Sequence, residues 1–245
     1  VNEYAIICDP GKRRDRASTM IMKHTSIIET GDERIRKPDR ILFYLDCVYL
    51  KQFMRKPYPE LRDYLFDLKG QVELVHNSDL LIDADGVGEA LIDMLNEKGL
   101  VPIPILATGG NKVSQAFSEM GKVFGKAGDG KLHHARMRLE LHVPKEDLVG
   151  AGRRVLEQHR FRVPLHLENA EELDRQLVHF TGPKDKRTQR VHYNADDPNT
   201  HDDYVSDFLL GAWWFTRERK DAILRQNTFT GREHRTGDWD PMDHV

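Results

Sequence analysis

Residues 4–11 read YAIICDPG. Five apolar positions, Tyr4 to Cys8, run without a break into Asp9-Pro10-Gly11. A short continuous apolar run closed by a turn signal predicts a buried strand, with an acid at its end. Two further strands are expected to follow it as an antiparallel meander. The first lies within Ala17 to Ile28, around Met20, Ile21 and Met22. The second is the aromatic and β-branched run Ile41 to Leu50. The charged stretch Lys12 to Arg16 and the polar stretch Glu29 to Arg40 read as loops.

The period then changes. Leu61, Leu65 and Leu68 stand at helical spacing within Pro57 to Leu74. Leu80 to Ile82 is a second short buried strand, and it too ends in an acid, Asp83. Gly86 to Asn96 reads as a helix with Ala90, Leu91, Met94 and Leu95 on one face, and Gly99 as its cap. Leu100 to Leu106 carries two prolines and predicts an irregular or edge strand. Thr108 to Asp129 has no readable pattern. Leu132 to Val143 alternates as a strand does, and Pro144 to His159 opens with proline and two acids as a helix does. Ala170 to Gln176 reads as a short helix. Leu177 to Phe180 and Val191 to Tyr193 flank a basic β-hairpin. His201 to Arg219 is the last helix, with Val205, Phe208, Leu209 and Ala212 inward. Of Trp213 and Trp214, one is expected in the core and one partly exposed. The expectation is one α/β domain spanning 1–245, with the tail 226–245 loosely held.

Composition narrows the function classes. The chain has 245 residues, enough for a core without staples. Its net charge of −3 comes from 37 basic and 40 acidic residues, so it is no polybasic or acidic-tail protein. Two cysteines, both in apolar runs, cannot form a disulfide framework and fit a reducing setting. No apolar run reaches the ~18 residues of a membrane span, and no membrane partner is expected.

The chemistry lies in the acids. Asp9 and Asp83 each follow a short apolar strand, and Asp202 and Asp203 open the last apolar helix. Strand ends of an α/β sheet share a rim where sites form. Several carboxylates on one rim suit Mg²⁺ or Mn²⁺, which prefer hard oxygen ligands. Two such ions can serve phosphodiester hydrolysis. Taken singly, Asp9 could belong to an ordinary turn and Asp202 to a helix start. The order strand–Asp, strand–Asp, helix–Asp says more than any member of it. His133-His134 lacks a partner for zinc.

That order resembles the RNase H-like nucleases, and more narrowly the nuclease domain of the large terminase subunit of tailed bacteriophages. The segments that carry the resemblance are AIICDPGKRRDRAST, LLIDADGVGEALIDML, HVPKEDLVGAGRRVLEQ, EELDRQLVHF and HDDYVSDFLLGAWW, from Asp9 to about Trp214. It implies an RNase H-like mixed sheet flanked by helices, with an added basic hairpin near the catalytic helix. It implies a metal-dependent endonuclease that cuts concatemeric viral DNA, with a two-metal site of Mg²⁺ or Mn²⁺. Asp9, Asp83 and one or both of Asp202 and Asp203 become the ligands. Asp203 and Asp207 share a helix face by their i,i+4 spacing. Asp207 is therefore a supporting position or an extra ligand; His201, Asp15 and Asp85 are supporting positions.

DNA contact is expected from Arg13, Arg14 and Arg16 beside Asp9, from Lys145, and from Lys184, Lys186, Arg187 and Arg190 on the hairpin. The implied partners are double-stranded DNA, a terminase ATPase domain, the portal and the small terminase subunit, in the cytoplasm of a bacterial host. The chain has no phosphate-binding G-x-x-x-x-G-K-[ST] loop. With its abrupt start at Val1, this favours the C-terminal part of a longer terminase. Two rival readings are a RuvC-like Holliday-junction resolvase and a non-cleaving DNA-binding or docking module of the packaging motor.

Overall fold

The first strand, β1 (Tyr4–Asp9), buries both of its faces, which is why its sequence is a continuous apolar run. In the computed structural model it pairs antiparallel with β2 (Arg16–Glu29) and parallel with β4 (Ser78–Asp83). The structure describes residues 3–11, 16–30, 40–85, 88–119, 137–182, 194–195 and 202–217. β2 continues antiparallel into β3 (Arg40–Met54), completing the expected meander. β4 leads through parallel pairings to β5 (Ile103–Thr108) and β7 (Met137–Pro144). An antiparallel edge strand, β6 (Ser114–Glu119), lies against β7, and the two-residue β8 (Phe161–Arg162) lies against β3. The eight-stranded mixed sheet has the order β6-β7-β5-β4-β1-β2-β3-β8.

Strand alternation divides the core into two layers. Ile6, Cys8, Leu80 and Ile82 face α1 (Tyr58–Lys69) and α2 (Gly88–Glu97), packing with Leu61, Leu65, Leu91 and Leu95. Ala5, Ile7, Met20, Leu50 and Leu81 face the other way. There they meet α3 (Lys145–Glu157), α4 (Ala170–His179) and α5 (Asp203–Thr216). α5 lies between the sheet and its neighbouring helices, so Tyr204 through Trp214 are all buried except Ser206.

Five expectations are corrected. Both Trp213 and Trp214 are buried, because α5 is covered on both sides. β5 is an interior strand despite Pro104. The Ile105 carbonyl accepts from Ala84 N–H on the β4 side, so the N–H that Pro104 lacks would face β7. Pairing with β7 begins only at Ile105, so no ladder bond is lost there. α2 turns inward on Leu91, Ile92 and Leu95, while Ala90 is exposed. The run read as unpatterned holds β6. Finally, α4 continues through Leu177 to His179, so the strand expected from Leu177 begins only at β9 (Phe180–Thr181), which pairs with β10 (Asn194–Ala195); Val191 to Tyr193 lie outside the described residues. The basic residues Lys184, Lys186, Arg187 and Arg190 lie outside the described residues, as do Arg13, Arg14, Asp15, His133, His134, His201 and the tail 226–245. No described helix is long and apolar enough to cross a membrane.

Candidate active site

Asp9 and Asp83 end two adjacent parallel strands whose register runs Ile7–Leu81 and Cys8–Ile82. The next pair in that register is Asp9 with Asp83. Both share the parity of Ile7 and Leu81, which places them on the α5 side of the sheet. Asp9 pairs with Ser18 on β2, and Ser18 with Gln52 on β3. Four neighbouring strands thus set Asp83, Asp9, Ser18 and Gln52 in one row along the rim. The row is polar where the layer behind it is apolar.

Two turns hold the row's acids. The Gly11 N–H donates to Asp9 Oδ1 at 2.9 Å, and the Asp85 N–H donates to Asp83 Oδ1 at 3.0 Å. Each is an aspartate bonding the backbone two residues on, the habit that makes this residue type common in turns. Gly11 has φ +62, and an added Cβ would collide with the Arg16 carbonyl, so glycine is required.

Above the row comes the start of α5. Asp203 and Asp207, one turn apart, share a stripe of the helix. Gln52 Nε2 donates to Asp203 Oδ2 at 2.8 Å. The Ser18 hydroxyl donates to Asp207 Oδ2 at 2.7 Å. Asp207 is fully buried, and its Oδ1 has no hydrogen-bond partner among the described residues. Asp202 is the N-cap residue and makes no capping bond with its side chain. The helix start is fixed from outside: Tyr204 N–H donates to Oε1 of the buried Gln176 on α4, at 2.9 Å. This satisfies one of the amides a helix leaves open at its first turn.

The acids of the rim act on one another. Burial pushes the Asp9 carboxyl up to about 8, with the Asp83 charge next and Asp203 and Asp202 adding; the Gly11 N–H pulls the other way. Burial also drives Asp207 well above the carboxylate range, helped by Asp9, Asp203 and Asp83 and opposed by Ser18. Burial raises the Cys8 thiol too, with Asp207, Asp9 and Asp83 adding. Among the described residues no three His, Cys, Asp or Glu side chains stand together as a finished metal site. The rim instead offers carboxylate oxygens, one of them buried and unpartnered, at a place where negative charge is crowded. That donor set fits a hard divalent cation such as Mg²⁺ or Mn²⁺.

The structure brings together Asp9, Asp83, Asp203 and Asp207, and places Asp202 and Asp85 beside them. Lys145 opens α3 directly after β7, whose end lies on the same rim. Arg16, expected on DNA, donates through Nη1 to Gln52 Oε1 at 3.1 Å. Ser18, Gln52 and Gln176 were not expected at the site. Their signal is weak: each is a polar residue among other polar residues of its element, such as Arg16 and Thr19, Lys51, and Glu172 and Arg175.

No protein-family model matches the chain, and no curated protein does. Among solved structures, the large terminase nuclease from thermophilic phage G20c is similar with a TM-score of 0.50 and 16% identity, covering 85% of this chain and 80% of that one. The large terminase nuclease domain of bacteriophage SPP1, with bound Mn, gives 0.44 and 12% over 86% of both chains. The G20c likeness fixes the fold: a mixed sheet flanked by helices, of the RNase H-like kind expected from the sequence.

Proposed function

We propose that this chain is a metal-dependent endonuclease that cuts DNA during viral genome packaging, hydrolysing phosphodiester bonds at the Asp83–Asp9 rim. The observation that carries this reading is the crowding of carboxylates on one rim. Asp9 and Asp207 are buried there, and the charges of Asp83 and Asp203 push both carboxyls above the ordinary range. A fold spends stability to hold like charges together only where something else relieves them. The G20c protein, which shares the fold, is a large terminase nuclease.

Asp9, Asp83 and Asp203 would hold the cation or pair of cations, with Asp207 beneath. Bound Mg²⁺ or Mn²⁺ would supply an activated water and charge stabilisation at the leaving oxygen. The turns at Gly11 and Asp85 hold the carboxylates on the strands, and Gln176 holds the helix start. Lys145, and the basic residues of segments 12–16 and 183–190, are assigned to the DNA backbone, because a cutter of concatemers needs phosphate contacts more than base readout. The ATPase domain, portal and small subunit belong to the same proposal.

Cleavage of supercoiled plasmid with Mn²⁺, Mg²⁺ or EDTA, beside Asp83→Ala, tests it. The expected result is metal-dependent nicking that the substitution removes. DNA binding in a gel-shift without cutting under any metal would instead favour the docking module.

A further inference from the structure

The rim presents adjacent acids, Asp202 and Asp203, and only one of them is gripped by the sheet. We infer that Gln52 is the positioning residue that selects Asp203, rather than Asp202, as the carboxylate α5 offers to a divalent cation. The inference rests on the nuclease reading above and names the device that sets its ligand.

The geometry fixes the direction of every bond. A glutamine amide has one accepting end and one donating end. Arg16 can only donate, so the oxygen of Gln52 must face Arg16, at 3.1 Å. The NH₂ end must then face α5, where it meets Asp203 Oδ2 at 2.8 Å. An ionised carboxylate can only accept, so the chain Arg16–Gln52–Asp203 has a single consistent polarity. Arg16 and Gln52 stand on the paired strands β2 and β3, so sheet register sets their spacing. Asp203 is thereby held twice, at its side chain by Gln52 and through the next backbone N–H by Gln176. Groups that hydrogen-bond a metal ligand from behind fix its orientation, and losing one typically costs about 10–100-fold in metal affinity or activity.

The test uses the 245-residue chain and Mn²⁺ alone, with binding read by electron paramagnetic resonance. Gln52→Met keeps the length of the side chain and loses both hydrogen bonds. It is expected to weaken Mn²⁺ binding about 10–100-fold. Arg16→Met, which frees the amide to turn, should weaken it less, and Asp202→Ala should leave it unchanged. In metal-free protein the side-chain amide resonance of Gln52 should move on Asp203→Ala and stay put on Asp202→Ala. A packing role alone would leave Mn²⁺ affinity intact in Gln52→Met, and that result overturns the inference. So does an amide resonance that answers to Asp202 instead. If the wild-type chain binds no Mn²⁺ and cuts nothing, the nuclease reading falls and the role of Gln52 toward a cation falls with it; the amide resonance would still report whether the pair itself exists.

Discussion

β4 carries a buried or half-buried aspartate at each end, Asp79 at its start and Asp83 at its finish, both with the parity that faces α5. The two ends are treated in opposite ways. Asp79 Oδ2 accepts from the Trp214 indole N–H at 2.8 Å. The Arg217 guanidinium stacks 3.6 Å from the Trp214 ring centre; burial pulls its pKa down to about 10, and the Asp79 charge opposes this. Donor and cation arrive from the end of α5. At the other end α5 brings more acids. At the far end, that of Asp79, a buried carboxylate is given a hydrogen-bond donor and a nearby cation by its own chain. At the rim the acids meet one another instead, and Asp83, Asp203 and Asp202 all add to the charge around Asp9.

Asp83→Ala is the sharpest way to break this contrast. Cleavage should fall by more than about 100-fold, the upper range for groups that merely support metal ligands, while circular dichroism stays that of the wild type. Nicking at the wild-type rate would make the two ends of β4 equivalent.

The second prediction concerns pH. The folded chain holds the Asp9 proton up to about 8, against an ordinary value of 3.8. That contribution to stability is full below about 4 and is lost as pH rises through about 8. Asp207 acts in the same direction. Metal-free protein should therefore melt lower at alkaline than at mildly acidic pH. A difference of at least about 2–4 °C is expected, what ~1 kcal/mol gives a domain of this size. Mn²⁺ should restore the alkaline value, and Asp9→Asn should flatten the profile. A flat wild-type profile would show the rim to be as well compensated as the far end.

At that far end, Trp214→Phe removes the donor to Asp79. Calorimetry should show a loss of about 1–3 kcal/mol, with Mn²⁺ affinity unchanged. A change in Mn²⁺ affinity would mean that the two ends are coupled through α5. The smallest effect is expected for Lys145→Ala. It should weaken DNA binding at all sequences and lower the salt slope by about one, as measured by fluorescence anisotropy.

Much of this was legible in the chain because the signals are local. Tyr4–Cys8 and Leu80–Ile82 are apolar on both faces because both faces are covered, and Leu61, Leu65 and Leu68 mark a helix by spacing alone. The acids at the strand ends follow from those runs. Less local features were not legible. β6 reads Ser-Gln-Ala-Phe-Ser-Glu, and β8 is two residues held by the Arg162–Asp46 pair, so neither has a period to find. The pairing of Ser18 with Asp207 and of Gln52 with Asp203 spans 189 and 151 residues and depends on register across four strands. No window on the sequence contains it.

Gly211 extends the stripe begun by Asp203 and Asp207 by one more turn. A Cβ there would lie 2.5 Å from Met22 Sδ and 3.2 Å from Ile7 Cδ1. Without a side chain there, α5 lies close against Met22 and Ile7 of the sheet. A helix advances ~1.5 Å per residue, and acids four apart offer the same face at two heights about 6 Å apart. Which of them stands level with Asp9 depends on how far α5 is driven along the sheet. The close seat of that helix is allowed two turns from Asp203, at a residue that carries no charge and has no side chain at all.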